Sequence, residues 1–283
     1  MEEYIEGKYI ESPIENINNI KPKKQAEIGI IGGTGVYDPK MLKNIKKVKI
    51  KTPFGQPSDD ITLGDLGGRK IAFINRHGPG HSISPHMVNS RANIWALKKI
   101  GVVRILSPGA VGSLKESYKP GDMVITDQFV DFTKNRKYTF FESGKVYHTS
   151  LADPFCDELR SGLISSANDI GINVKTKGTY ICVEGPRFST RAESRMFRNF
   201  GDIIGMTLVP ECSLAREAEI CYAAINTITD YDVWAEKPVT MDEIITTMKD
   251  NLHKVRSLLL EVIPKIPTKR NCECKDALKY AAA

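Results

Sequence analysis

The sequence predicts an α/β protein of one domain, with a large mixed central β-sheet flanked by helices. Three observations predict it. Short apolar runs recur along the chain, several flanked by glycine or proline, as buried strands are. Stretches with apolar residues at helical spacing lie between them. No Pro/Gly/Ser-rich linker divides the 283 residues.

In chain order, residues 1–24 are polar, hold Pro13 and Pro22 and lack periodicity, so they are read as an N-terminal arm laid on the surface or against a neighbouring subunit. The domain proper is expected over 25–266, with ordered structure from near Glu27, and 267–283 as a C-terminal tail carrying Cys272-Glu273-Cys274. Strands are expected at 28–31, 71–74, 102–106, 123–125, 180–183, 203–206 and 222–228. One helix is expected over 88–100. A second spans 154–170, with Phe155, Leu159, Leu163 and Ala167 on one face and Gly171 as its stop. Thr190 with Glu193 forms a capping box for a helix through Phe200. Thr240 with Glu243 opens a long helix whose face carries Met241, Ile244, Ile245, Met248, Leu252, Val255 and Leu259. Alternation of strand and helix places ligands beyond strand ends, where the glycine-rich turns collect.

With 41% hydrophobic and 26% charged residues, the composition is that of a soluble globular protein. Met1-Glu2-Glu3 lacks the basic start and apolar run of a secretory signal, and no run of about 18 apolar residues exists, so a cytoplasmic protein with no membrane partner is expected. The net charge of +6 is spread along the chain, densest at Lys21, Lys23 and Lys24, which argues against a nucleic-acid partner and for small anionic ligands. The six cysteines, at 156, 182, 212, 221, 272 and 274, form no paired CxxC, so no metal site is expected. The Cys272/Cys274 pair is unusual for a reduced compartment. Either some cysteines, these included, are oxidised, or all six are reduced thiols.

Chemistry-bearing residues sit at the predicted strand ends. Gly32-Gly33-Thr34-Gly35 can bring backbone N–H groups and a hydroxyl to an anion, or serve as a plain turn. Arg76 and His77 offer a planar fork and a directional donor to a tetrahedral oxyanion; otherwise they are a surface arginine and a turn histidine. The stretch 107–113 again exposes amides. Glu184-Gly185-Pro186-Arg187-Phe188 sets an aromatic face and a cation beside a turn, with core packing as the other role for Phe188. Asp230 and Asp232 follow the last strand, either as crowded carboxylates with general-acid character or as solvated turn residues.

Together these stretches resemble the purine nucleoside phosphorylase family, in its methylthioadenosine phosphorylase branch. The likeness runs from about Glu27 to about Pro264 and is carried by 28–35, 52–58, 76–78, 93–97, 184–194 and 206–211. It implies phosphorolysis of 5′-methylthioadenosine to adenine and 5-methylthioribose 1-phosphate, with adenosine as a secondary substrate. Thr34, Arg76, His77, the Gly109 and Ala110 amides and Thr207 would hold phosphate, with Met206 against the ribose. Phe188 would lie beside the purine, and Asp230 and Asp232 would hold its N7 and amine edge, Asp230 being the catalytic acid. Met241, Ile244 and Ile245 would line a pocket for the methylthio group, with His148 lent by an adjacent subunit of a homotrimer or hexamer. Inorganic phosphate would be a co-substrate, and neither a metal nor an organic cofactor is implied. Two features depart from the family. Pro108-Gly109-Ala110 stands where members carry Thr-Thr-Ala, which removes a hydroxyl from the phosphate site, and Cys182, Cys212, Cys272 and Cys274 lie outside the animal pattern, whereas Cys156 and Cys221 are at home. The competing readings are a nicotinamide-dependent oxidoreductase, opposed by the missing third glycine of its fingerprint, and a nucleotide sensor without turnover.

Overall fold

The computed structural model of the chain describes residues 17–33, 35, 36, 38, 41–235 and 241–283, with the backbone alone for 18, 241–246, 248 and 250. Among these, eleven strands form one mixed sheet. In chain order they are β1 (Ile28–Gly32), β2 (Lys43–Val48), β3 (Ile61–Leu66), β4 (Arg69–Asn75), β5 (Arg104–Ser113), β6 (Met123–Ile125), β7 (Gln128–Phe132), β8 (Val174–Lys175), β9 (Thr179–Val183), β10 (Ile203–Gly205) and β11 (Cys221–Asp230). The helices are α1 (Ser90–Ile100), α2 (Asp157–Asp169), α3 (Arg191–Phe197), α4 (Glu211–Glu217) and α5 (Met241–Lys265).

The centre is parallel. β1 pairs with β4 and β5, and β5 pairs in turn with β11, so these strands deliver their C-terminal ends to one side. β1 and most of β11 are buried throughout, because helices cover both faces of a parallel sheet; β11 carries Asn226, Thr227 and Thr229 buried among its apolar residues. One core cluster packs under α1 and α4, with Ile31, Ile74 and Ile105 from the sheet; the other packs under α2 and α5, with Ile28, Ile30, Ile71 and Phe73. Alternate β1 residues therefore serve opposite layers. β5 is the hub: it carries β1 on its first residues, then runs antiparallel to β10 at Gly112 and Ser113 while β11 follows its other edge.

The expected strands are present, and the run expected at 102–106 extends through Ser113. The α3 capping box is formed as expected: Thr190 accepts from the Glu193 N–H and Glu193 accepts from the Thr190 N–H. Thr240 lies outside the described residues. Asn89 caps α1, and Gly101, at φ 104°, supplies its left-handed stop. β2, β3, β7, β8 and α4 had no expectation. β2 is a solvent-exposed, lysine-rich edge, a composition that blunts pairing with other chains. The last residues pack on the body: Cys274, Leu278 and Ala281 are buried, and the His148 N–H donates to the Ala281 carbonyl at 2.7 Å. All six cysteines are free thiols, so the expected oxidation finds no support. No helix among the described residues is long and apolar enough to cross a membrane.

Candidate active site

Beyond the converging strand ends lies a cavity of about 410 Å³, lined among others by Gly33, Arg76, His77, Gly109, Ala110, Phe188, Met206, Thr207, Asp230 and Asp232. Nine of these ten were expected in the site, and those nine arrive from five strands. Arg76 and His77 follow β4, and the Arg76 N–H donates to Gly32 O at 2.9 Å, which ties the β4 exit to the β1 exit. Gly109 and Ala110 lie within β5. Phe188 follows β9, Met206 and Thr207 follow β10, and Asp230 ends β11.

One edge of β5 explains the exposed amides. Leu106 is the last residue paired with β1 and Gly112 the first paired with β10, so residues 107–111 have no strand partner on that edge among the described residues. Residues 109–112 along this edge line the cavity, where a backbone donor without a ladder partner is available to an anion.

Arg76 is almost fully buried, and its charge is already matched. Nε donates to Glu211 Oε2 at 2.9 Å and Nη2 to Glu211 Oε1 at 3.0 Å, while Nη2 also donates to Ser107 Oγ at 2.6 Å and Ile31 O at 3.0 Å. Glu211, wholly buried at the start of α4, also accepts from the Ser107 and Tyr222 hydroxyls at 2.8 and 2.7 Å. Burial opposes the guanidinium charge, but the Glu211 carboxylate outweighs it and holds Arg76 firmly cationic. The planar fork expected to grip an oxyanion thus grips Glu211, because a buried guanidinium needs a counter-charge. With Nη1 donating to Pro108 O at 3.2 Å, the donor left for a ligand is the second N–H of Nη1. Glu211, Ser107 and Tyr222 were not expected in this role. An acidic residue opening a short helix was the visible signal.

His77 is neutral. Burial, followed by the Arg76 charge, pushes its imidazole down to about 4. Nδ1 lies 3.0 Å from Ile83 O, and a carbonyl only accepts, so Nδ1 carries the proton and Nε2 is an acceptor. A ring that stacks on His81 at 4.4 Å therefore offers the P–OH of a protonated phosphate a lone pair.

At the other end, Asp230 Oδ1 accepts from the Asp232 N–H and Oδ2 from the Thr229 hydroxyl, both at 2.7 Å. Asp230 rests on Gly112, where any Cβ would come within 2.9 Å of Oδ1, so only glycine permits this approach. Asp232 is buried and accepts from Ser194 Oγ at 2.5 Å; burial raises its pKa, with the Ser194 bond opposing. Phe188 is 41% exposed, an open aromatic face at the cavity rim. Met206 packs over Gly185, whose φ of +70° and lack of Cβ let the sulfur approach. Ser82, Ser84 and Ser189 also line the cavity and were not anticipated.

Two groups of expected residues fall outside what the structure describes, and one residue lies elsewhere. Thr34 lies outside the described residues, as do the side chains of Met241, Ile244 and Ile245 on α5. His148 lines a separate crevice near the C-terminus of the same chain.

A profile of the phosphorylase superfamily matches residues 27–264. The S-methyl-5′-thioadenosine phosphorylase of Pyrococcus abyssi is 60% identical over 253 residues, 89% of this chain and 98% of the relative. That of Hyperthermus butylicus is 56% identical over 266 residues, 92% and 97%. Among solved structures, a methylthioadenosine phosphorylase from an antarctic soil metagenomic library superimposes with a TM-score of 0.86 at 45% identity, covering 92% of this chain and 93% of that one. The Schistosoma mansoni methylthioadenosine phosphorylase in complex with adenine gives 0.85 at 39%, covering 90% and 96%. A match of this length, on a cavity with an anion end and a paired-carboxylate end, shows that the chain belongs to the phosphorylase superfamily.

Proposed function

We propose that this protein is an S-methyl-5′-thioadenosine phosphorylase, which uses inorganic phosphate to cleave 5′-methylthioadenosine into adenine and 5-methylthioribose 1-phosphate. The observation that carries the reading is a single cavity with amide donors, Arg76, His77 and Thr207 at one end and Asp230 and Asp232 at the other. Relatives at 56–60% identity bear that activity as their name.

Phosphate enters the unpaired β5 edge, held by the Gly109 and Ala110 amides, Thr34, Thr207 and the remaining Arg76 donor, with its P–OH toward His77 Nε2. Because Glu211 already balances Arg76, the anion keeps most of its negative charge, which stabilises the cation-like sugar as the glycosidic bond breaks. A phosphate oxygen then bonds to the anomeric carbon, and the bond pair to N9 departs with the purine. Positioning supplies much of the rate. Met206 packs on the ribose and Phe188 on the base. Asp230 faces N7 and the 6-amino group, and the Asp230/Asp232 pair shares the proton that N7 takes up, Asp232 being the carboxyl whose burial favours its acid form. No metal or organic cofactor takes part in this chemistry.

The methylthio group is assigned to the α5 face of Met241, Ile244 and Ile245, completed by His148 from a neighbouring subunit of a homotrimer or of two paired trimers, in the cytoplasm. The position of His148 in a different crevice of its own chain supports the subunit transfer. The arm, phosphorylase domain and tail divide at about residues 24 and 266. Incubation with methylthioadenosine, adenosine and inosine, each with and without phosphate, tests the reaction. Adenine release that is equal without phosphate would make the protein a hydrolase and reject the proposal. Light scattering of the purified protein tests the trimer.

A further inference from the structure

A second cluster of chemically competent side chains lies at the opposite end of β11. Cys156 precedes α2, Cys221 opens β11, Cys272 precedes the 3₁₀ turn of the C-terminal tail and Cys274 lies within it. Their four sulfurs all lie within 4.8 Å of one another, with Cys221 and Cys272 at 3.3 Å. Cys156, Cys221 and Cys274 are at most 3% exposed. The sequence had suggested no metal site, because the ligand pairs of familiar zinc sites are close in sequence and only Cys272 and Cys274 are close here.

We propose that Cys156, Cys221, Cys272 and Cys274 form a structural zinc site that fastens the C-terminal tail to α2 and β11. Zinc held by four thiolates at about 2.3 Å sets the sulfurs about 3.8 Å apart, the scale of this cluster. The four sulfurs form one knot rather than two separate pairs, as a single tetrahedral ion requires. Four thiolates around a dication leave a net charge of −2, and Arg216 Nη1, 3.5 Å from Cys274 Sγ, offsets part of it. A crevice of about 940 Å³ reaches Cys156, Cys272 and Cys274 and gives the ion an entry path. Cys221 and Asp230 are the two ends of β11, about 30 Å apart at the rise of a strand, so the ion has no part in the phosphorolysis. Full protein coordination, with no position left for substrate, is the mark of a structural site.

The full chain, expressed in zinc-supplemented medium and purified without oxygen, should contain one zinc per chain by elemental analysis and native mass spectrometry. After denaturation with chelator, alkylation should modify all six cysteines. Growth on cobalt should give the intense visible bands of tetrahedral cobalt thiolate. Cys272→Ser with Cys274→Ser should lose the metal and lower the unfolding temperature, whereas Cys182→Ala, which lies outside the cluster, should keep it. A wild-type chain without metal, one carrying a metal other than zinc, or one whose mass shows hydrogens lost to disulfides among these cysteines would overturn the proposal. The wild-type measurements decide even if the double variant fails to fold.

Discussion

Glu211→Gln keeps the volume of the side chain and removes the charge that Arg76 leans on. In the native protein Arg76 is 2% exposed and its guanidinium donates twice to Glu211. Breaking a buried pair by neutralising one partner costs about 3–5 kcal/mol, because the other charge is left without compensation. At about 2–4 °C per kcal/mol for a domain of this size class, the unfolding temperature should fall by about 6–20 °C. Phosphate should then act differently on the two proteins. An unbalanced Arg76 attracts the anion more strongly, and a ligand that binds only the native state stabilises it in proportion to the logarithm of its concentration over Kd. A tenfold tighter Kd would add about 1.4 kcal/mol, or about 3–6 °C, to the phosphate-induced shift of the variant. Thermal unfolding of both proteins across a phosphate titration reads the two effects separately. A variant that melts with the wild type in phosphate-free buffer, or that gains no more from phosphate than the wild type, would refute the reasoning.

His77 is held at about 4, below its ordinary 6.5, so the unfolded chain takes up a proton that the folded protein refuses. Its contribution is fully present above pH 6.5 and is lost as pH falls toward 4, about 2 kcal/mol between pH 7 and pH 5; denaturant unfolding at both values measures it, and His77→Gln with an unchanged pH slope would contradict it. Asp230→Asn should lower turnover on methylthioadenosine by about 10² to 10⁴ and shrink the preference against inosine, since Asn donates where a 6-oxo group accepts. The ratio of kcat/KM for the two nucleosides checks this, and near-normal turnover with an unchanged ratio would remove Asp230 from the mechanism. Gly109→Thr restores the hydroxyl that family members carry; a Cβ there meets Asn226 Oδ1 at 3.3 Å, tight but tolerable. One added hydrogen bond of about 0.5–1.5 kcal/mol should lower the phosphate KM by about 2- to 10-fold, and a raised KM would mean that the site does not relax.

How much of this could be read in the chain depended on whether the signal was local. β1 and the first half of β11 were legible because a strand covered on both faces is mostly apolar on both, which leaves short apolar runs at 28–31 and 221–225. β2 was not, since an edge strand of lysines has neither run nor alternation. α4 was not, because its seven residues bury Glu211 and Glu217 beside Leu214 and Ala215, which hides any amphipathic stripe. The same divide applies to the site. Arg76 and His77 follow β4, and Asp230 closes β11 with Asp232 two residues on, so position alone marked them. The role of Glu211 could not be read, because its partner lies 135 residues away and the pairing exists only once α4 docks. The cysteine cluster was hidden for the same reason, its ligands coming from three separate stretches.

The register between β5 and β11 also acts as a ruler. Ala110, at the anion end, faces Thr227, and two residues further along Gly112 faces Asp230, across a bulge that absorbs one extra residue of β11. Two strand residues span about 7 Å, roughly the width of one pentose. In the proposed reaction, the interval between attacking nucleophile and departing base is therefore written into the pairing of β5 and β11 at the centre of the sheet. Loops around the cavity can drift, and the residues that choose the 5′ substituent can be exchanged, without altering that interval. A single inserted residue in β11 ahead of Asp230 would alter it at once, however conservative its side chain.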